Sequence, residues 1–254
     1  MNHRAALMVL FLVMFALPLI AQDQDEEPLP PPKPTGSTKI GGAAGFLQDW
    51  MFFDFGPINE LMRSENLGEF DKKSLYAIGG QGYAYILVIP NLRVGGMGLT
   101  GSTAVKTKSG NVVREVDLHA GYGGVTIDYV YNLLPRLDIT GGMLFGGGGL
   151  DFKINRSAGT TQSWLPTWDD FSSGKAADEY SAKLSGTFFV YRPSLNVEYA
   201  ILRWVGLRIG VSYVGMSNPS WTRDDDFDLY GVPDNITAQG WSVNTGIFVG
   251  TFIF

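Results

Sequence analysis

Few residues of this chain are suited to chemistry. It has no cysteine, and its two histidines are His3 and His119, which excludes thiol catalysis, disulfides and histidine-rich metal sites. Glu115 and Asp117 share the face of His119 if this segment is a strand. No nucleophile motif of the G-x-S-x-G type accompanies them. We therefore expect no enzyme, and a lipid-modifying enzyme centred on His119 is the least favoured hypothesis.

A run of aspartates, Asp224-Asp225-Asp226-Phe227-Asp228, has the oxygen ligands that Ca²⁺ prefers. It lacks the glycine and the terminal glutamate of an EF-hand loop, so a solvated acidic loop is the simpler interpretation. The glycine run 146–149 precedes neither Lys-Ser/Thr nor a helix start, so it is no phosphate loop and instead indicates a strongly bent or bulged strand. We expect neither a metal nor a cofactor.

The composition favours strands with an apolar exterior. The chain of 254 residues has 33 glycines and 13% aromatic residues, both high, whereas only 17% of its residues are charged. This length accommodates one large β domain or two small ones. The net charge is −6 and no basic stripe is present, which argues against nucleic acid as a partner.

The first 37 residues predict export. Residues 1–21 resemble a secretory signal peptide, with Arg4 before an apolar run and Ala21 at the cleavage site. A retained anchor is the alternative, but the run is shorter than the roughly 20 residues that span a bilayer and contains Pro18. Residues 22–37 are an acidic, proline-rich linker. No later segment resembles a transmembrane helix, so only a closed barrel could carry the mature chain through a membrane.

Eight later segments predict strands, because they alternate apolar and polar residues or are rich in β-formers. They cover about 38–46, 75–88, 91–107, 112–132, 136–155, 181–201, 203–218 and 238–254. In the seventh, Leu207 and Ile209 share one face and Arg208 lies on the other. In the fourth, the apolar residues change phase at Gly123-Gly124, which predicts a β-bulge. Pro193 in the sixth either removes a ladder hydrogen bond or marks a second bulge.

Three features favour a membrane barrel over a soluble secreted sandwich, which would also have one apolar face. The polar faces consist mainly of small residues, and no lysine follows Lys183. Aromatic residues gather near the predicted strand ends, as at membrane interfaces. Long connections, at about 47–74, 156–180 and 219–237, fall on one side, and tight ones, near Pro90, Pro135 and Leu202, fall on the other. We predict an all-β fold, an antiparallel up-and-down transmembrane β-barrel of about eight strands, with one short helix.

The C-terminus carries a family resemblance. Phe248, Phe252 and Phe254 alternate in the last strand, which resembles the C-terminal signature of bacterial outer-membrane barrels, and residues 38–254 are similar in size to small OmpA- and OmpX-type barrels. In that family the last strand pairs with the first and is read by the barrel-assembly machinery. The resemblance implies the cell outer membrane as location, with its lipid and that machinery as partners. Ile247 and its neighbours make the opposite face apolar too, so either face could meet lipid.

The polar face of the barrel should point into its lumen. An eight-stranded barrel is just wide enough for side chains to fill, and buried charges must pair. We expect a lumen polar network of Asp128, Asp138, Arg192, Glu198 and Arg208. A satisfied polar core is favoured over a gate or narrow ion path.

Residues 50–68 are the least ordinary connection. Pro57 and Gly68 predict the first turn and the C-terminal cap of a helix over 57–66. The aromatic stretch 50–55 before it would be a binding patch if exposed, and a lid or plug over the barrel mouth is slightly preferred. Trp164, Trp168 and Trp221 are predicted in outer loops, where they would bind sugars or partners or pack the loops together.

These observations favour a structural or interaction protein that acts through its outer loops, with a partner that the sequence does not identify. The alternative is a narrow pore or a conduit for hydrophobic ligands gated by residues 50–68.

Overall fold

The computed structural model describes residues 41–70, 74–157, 180–224, 227–233, 235–237 and 239–251. The predicted signal peptide and linker lie outside this part of the chain. Within it the elements are β1 (Gly42–Phe53), α1 (Gly56–Ser64), β2 (Leu75–Tyr85), β3 (Leu92–Ser109), β4 (Val112–Leu134), β5 (Leu137–Ser157), β6 (Tyr180–Leu202), β7 (Val205–Arg223), β8 (Phe227–Asp228) and β9 (Gly240–Gly250).

The strands close into a ring. Each strand from β1 to β7 pairs antiparallel with the next, and β9 pairs with both β7 and β1. The two-residue β8 lies beside the end of β7 and takes no part in the ring. This confirms the predicted up-and-down barrel of eight strands with one short helix. Strands paired on both sides leave no open edge, which is what a hydrocarbon surrounding requires.

The outside of the barrel carries a belt of exposed apolar side chains. Its members on seven strands include Phe46, Ile78, Ile127, Phe145, Leu195, Val211 and Ile247. Aromatic residues border it, with Tyr131 and Trp204 near the short turns and Tyr76 and Trp241 near the other edge. A closed ring with this belt is solvated by lipid and not by water, so the protein is an integral outer-membrane β-barrel. None of the described helices is long and apolar enough to cross a membrane.

The polarity of the wall inverts along its height. Towards the short turns of β4, Ile127 faces outward and Asp128 inward, whereas beyond Gly123 it is Leu118 that faces inward and Asp117 outward. Gly123 lies level with Gly98 of β3 and Gly147 of β5. We call the wall on the short-turn side of this level the membrane half. The outer half comprises residues 99–109, 112–122, 148–157, 180–188 and 219–223.

The bulge predicted at Gly123-Gly124 is therefore wrong. β4 stays in register with both β3 and β5 across these residues, and the same side of the strand stays buried. The apolar residues change phase because the surroundings of the wall change from lipid to water, while the backbone continues without a break.

The glycine run 146–149 is likewise unbulged, since β5 keeps its register with β4 and β6. A Cβ at Gly146 would overlap the carbonyl oxygen of Gly123, so glycine here permits a close approach of two strands. Pro193 also keeps the register, and the β6–β7 pairs are missing between Tyr191 and Ser194. Of the two alternatives for Pro193, a lost ladder bond is correct.

Two predicted boundaries need correction. The first strand was predicted over 38–46, but β1 continues to Phe53, so the aromatic stretch 50–53 belongs to the wall. Both faces of β1 are apolar there, with Met51 inward and Phe52 outward, which hid the alternation. β7 was predicted to end near 218 but continues to Arg223, because inward Trp221 still pairs with Gly186 in the outer half.

Candidate functional site

A four-membered charge cluster fills the lumen of the membrane half. Arg93 Nη1 donates to Glu198 Oε2 at 2.9 Å, and Arg93 Nε donates to Asp128 Oδ2 at 3.2 Å. Arg208 Nε donates to Glu198 Oε1 at 2.9 Å, and its Nη1 donates to Gln81. All five side chains are buried. A carboxylate held by two guanidinium groups has its lone pairs satisfied by charge-assisted hydrogen bonds.

Aromatic rings support the two cluster arginines. The guanidinium of Arg93 lies 3.9 Å from the ring centroid of Tyr83, and that of Arg208 lies 4.2 Å from the ring of Phe248. Cations over ring faces gain further stabilisation where water is excluded. Phe248 therefore faces the lumen, and the odd-numbered residues of β9, such as Ile247 and Val249, face lipid. Phe252 and Phe254 lie outside the described residues, and the insertion signal stays a prediction.

A second cluster lies nearer the outer half. Arg192 Nη2 donates to Asp49 Oδ2 at 2.7 Å, and Arg192 Nη1 contacts Met97 Sδ at 3.2 Å. Ser242 and Tyr122 each donate a hydroxyl to the same Asp49 oxygen at 3.4 Å. With the first cluster this places three arginines against three carboxylates in the lumen. The charges balance, as burial of ions requires.

Between the clusters lies a cavity of about 10 Å³, lined by Leu47, Gln81, Asn196 and neighbouring side chains. A space of this size holds about one water molecule. Above the second cluster the lumen is packed with apolar side chains. They include Met51, Leu75, Leu99, Leu118, Leu150, Phe188 and Val190. In the described part of the barrel, packed side chains therefore occupy the lumen through both halves.

Four of the five predicted lumen residues lie in these clusters. Asp128, Glu198 and Arg208 join the first cluster and Arg192 the second. Asp138 lies near the β4–β5 turn, where it accepts a hydrogen bond from Asn132 outside both clusters.

Three of the cluster residues, Arg93, Asp49 and Gln81, were not among those predicted from the sequence. Arg93 begins β3 on its inward face, beside Asp128 across the ladder, and the parity of the third strand could have placed it there. Asp49 was assigned to a loop, because β1 was predicted to end too early. Gln81 is an uncharged residue among glycines, which gives no signal for a lumen position.

The mouth of the outer half forms an apolar cup of about 650 Å³. The apolar lining comes from three places, α1, the inward faces of β4 to β7, and the segment before β9. Its members include Ile58, Met62, Val116, Phe152, Ile154, Leu184, Trp221, Leu229, Val232 and Ile236. The indole of Trp221 stacks on Phe152 with ring centroids 6.2 Å apart. We use the word cup for this cavity below.

α1 forms one side of the cup, over the barrel mouth. The helix is close to the predicted 57–66 and has Pro57 in its first turn. Its end differs from the prediction, since Asn66 adopts the positive φ of +54° expected for the cap. Gly68 instead donates its N–H to Thr107 Oγ1 of β3 at 2.7 Å. This position agrees with the lid interpretation of the segment.

Two side chains hold the α1 segment in place. Asn59 accepts from the backbone N–H of Phe70 at 2.9 Å and donates to its carbonyl at 3.3 Å. Phe70 packs on Phe55 with centroids 5.6 Å apart, and Met62 is buried beneath them. These contacts fix the conformation of the segment itself, and the hydrogen bond from Gly68 to Thr107 joins it to the wall.

The other candidate residues lie apart from the lumen. His119 is exposed on the outer wall between Ser102 and Asp151, its neighbours on β3 and β5, and no hydrogen bond joins it to either one among the described contacts. No group of three acidic or histidine residues suited to a metal occurs in the described residues. Asp225 and Asp226 of the aspartate run lie outside that part of the chain, as do Trp164 and Trp168.

No protein-family model matches the sequence, and no curated protein shows significant similarity to it. Among solved structures, Ail of Yersinia pestis, in complex with the heparin analogue sucrose octasulfate, is 8% identical, with 84% of this chain and 99% of that chain covered and a TM-score of 0.42. OprG of Pseudomonas aeruginosa is 10% identical (84% and 96% covered, TM-score 0.42), and Neisserial surface protein A is 9% identical (84% and 97%, 0.41). These are likenesses of chain path at low identity and carry no information on ligand or activity.

Proposed function

We propose that the protein is a ligand-binding barrel of the outer membrane, with a sealed lumen and a binding site in the cup. The observation that carries the proposal is a concave apolar cavity of about 650 Å³ above a packed floor. Cavities of roughly 300–1,000 Å³ lined mainly by apolar side chains are typical of small-molecule sites. The interaction role predicted for the outer loops is thereby assigned to a site at the barrel mouth.

The floor of the cup argues against the alternative of a pore or conduit. A solute leaving the cup towards the short turns would have to displace Leu118 and its neighbours, and then separate the Arg192–Asp49 pair. Beyond the small cavity it would also have to part Glu198 from two arginines. Breaking a buried pair costs about 3–5 kcal/mol, so passage through the lumen is opposed at several successive levels.

Conductance tests the sealed lumen. Purified protein reconstituted in planar bilayers should give no current steps above the lipid background, because both clusters stay closed. The matched variant is Glu198→Ala, which removes the shared carboxylate of the first cluster. Reproducible steps from the unmodified protein would contradict the sealed lumen and restore the conduit hypothesis.

Binding of an uncharged hydrophobe tests the cup. Radiolabelled 1-dodecanol should bind saturably to the protein held in amphipol. Val116→Trp fills the cup from β4 and should remove this binding, whereas Val113→Trp changes a residue of the opposite face of the same strand and should leave it intact. Heat-modifiable migration on a detergent gel establishes that each variant is folded. Equal binding by both variants would refute the cup as the site.

A further inference from the structure

Two arginines stand side by side at the rim of the cup. Arg114 of β4 is the direct cross-strand partner of Arg156 of β5, and both line the cavity. Below them on the same inward face lie the apolar pairs Val116–Ile154 and then Leu118–Phe152. The strand ladder thus builds a short polarity gradient, with cations at the rim and apolar side chains beneath.

Like charges directly opposite each other on two strands destabilise a sheet. Neither arginine forms an ion pair within the described residues. Arg114 makes its polar contact, at 3.4 Å, with the backbone carbonyl of Glu65 and not with a carboxylate. Glu115 also borders the cavity, but its carboxylate pairs with Lys106 at 3.1 Å. Among the described residues that line this rim, the charges that take no part in an ion pair are positive, apart from that of Glu65.

We propose that the cup takes a single-chain amphiphile with an anionic headgroup, the acyl chain in the cup and the headgroup on Arg114 and Arg156. This inference rests on the cup being the ligand site proposed above. A bound anion would remove the repulsion between the two guanidinium groups, which are suited to bidentate contact with a carboxylate or phosphate. The apolar pairs beneath the rim would cover the chain.

The outer wall indicates where such a ligand comes from. At the level of the cup the outward side chains are polar, among them Asp117, Lys153 and Lys183. The apolar belt ends below this level, near Gly123 of β4. The cup therefore stands above the hydrocarbon, and its occupant is a free amphiphile from the aqueous side, not a lipid of the surrounding leaflet.

Equilibrium binding of dodecanoate tests the proposal, with 1-dodecanol as the uncharged probe of equal chain length. The protein is held in amphipol, and the variants are Arg114→Gln with Arg156→Gln, against Lys108→Gln with Lys153→Gln, which removes two exposed outward charges of β3 and β5 that take no part in the cavity. We expect the arginine variant to weaken dodecanoate binding at least roughly tenfold, which corresponds to about 1.4 kcal/mol, because it loses the charge-assisted hydrogen bonds to the headgroup. Dodecanol binding should be unchanged in both variants.

The two proposals fail in different ways. If dodecanol binds but dodecanoate binds no better, and the arginine variant changes neither affinity, the headgroup inference is overturned while the cup remains a ligand site. If neither probe binds the unmodified protein, both proposals are overturned. If the lysine variant weakens dodecanoate as much as the arginine variant does, the effect is a general surface charge effect, and the assignment to the rim is overturned.

Discussion

The membrane half and the outer half of this barrel are built from the same strands with opposite polarity. In the membrane half, polar side chains such as Asp128 face the lumen and apolar ones such as Ile127 face lipid. In the outer half, Leu118 and Val116 face inward, and charged residues cover the outside. The same strands therefore present apolar side chains to hydrocarbon in one half and charged side chains to water in the other, while the barrel stays closed.

The difference also separates two roles. The lumen of the membrane half is closed by ion pairs, which demand matched partners and leave space for about one water molecule. The interior of the outer half is apolar and packed below its mouth, and the mouth forms the cup. The ion pairs that close the lumen thus lie in one half, and the ligand site that we propose lies in the other.

The largest effect should follow loss of a lumen charge. Glu198→Ala leaves Arg93 and Arg208 buried without their shared carboxylate, so we expect a loss of about 3–5 kcal/mol in unfolding free energy. Glu115→Ala in the outer half breaks a surface pair with Lys106 and should cost about 0–1 kcal/mol. Urea unfolding in lipid vesicles measures both. Equal losses would remove the distinction between the halves.

Substitutions of inward residues on β4 should have different effects on stability in the two halves. Leu118→Ala creates a cavity in the apolar interior of the outer half and should cost about 2–5 kcal/mol. Thr126→Val, in the membrane half, replaces a buried hydroxyl that has no hydrogen-bond partner among the described residues. This change should cause no loss of stability. A large loss from Thr126→Val would show that its hydroxyl belongs to the polar network.

Substitutions of outward residues on β4 test where the contact between the barrel and lipid ends. Ile127→Lys places a cation in the apolar belt and should cost about 2–4 kcal/mol if it lies near the bilayer centre. His119→Lys lies in the outer half, in water, opposite Ser102 and Asp151, and should change stability by no more than about 0.5 kcal/mol. Urea unfolding in lipid vesicles measures the loss of unfolding free energy for both variants. Similar costs at the two positions would mean that lipid also covers the outer half.

The smallest effect concerns pH at the α1 segment, outside the membrane. The hydrogen bond from Arg63, at 2.9 Å, lowers the pKa of Glu69 below its ordinary value. A carboxyl with a lowered folded-state pKa stabilises the fold above its unfolded pKa of about 4.3, and this stabilisation is lost as the pH falls through the folded-state pKa. Glu69→Gln should therefore reduce the thermal midpoint slightly at pH 7 and leave it unchanged well below pH 4. Identical differences at both pH values would contradict the pair.

Strand number, ring order and loop sides follow from the sequence, because lipid on one face and a filled lumen on the other enforce alternation along strands such as β7. The same rule failed where a strand crosses the membrane boundary. At Gly123-Gly124 the change of phase predicts a β-bulge, but its cause is the change from lipid to water outside the barrel, and the backbone continues in register. In β1, where both faces are apolar at Met51 and Phe52, the rule lost the strand, and Asp49 with it.

Strand patterns predict the cluster partners on adjacent strands but not those that face each other across the lumen. Glu198 of β6 and Arg208 of β7 are cross-strand neighbours, and their pairing follows from the hairpin. Arg93 reaches the same carboxylate from β3, and Arg192 reaches Asp49 of β1. Such contacts depend on the curvature of the closed sheet, and the alternation of residues along a single strand gives no information about that curvature.

The long reach of these ion pairs constrains how the barrel assembles. Asp49 and Arg192 are 143 residues apart, and Arg93 and Glu198 are 105 apart, whereas most neighbouring strands of the ring follow each other directly along the chain. Contacts so distant along the chain form late, after the loop-closure entropy has been overcome. Until then each arginine and carboxylate needs water as its partner. We therefore expect the concave side of the sheet to stay hydrated until strands that are distant along the chain have come together.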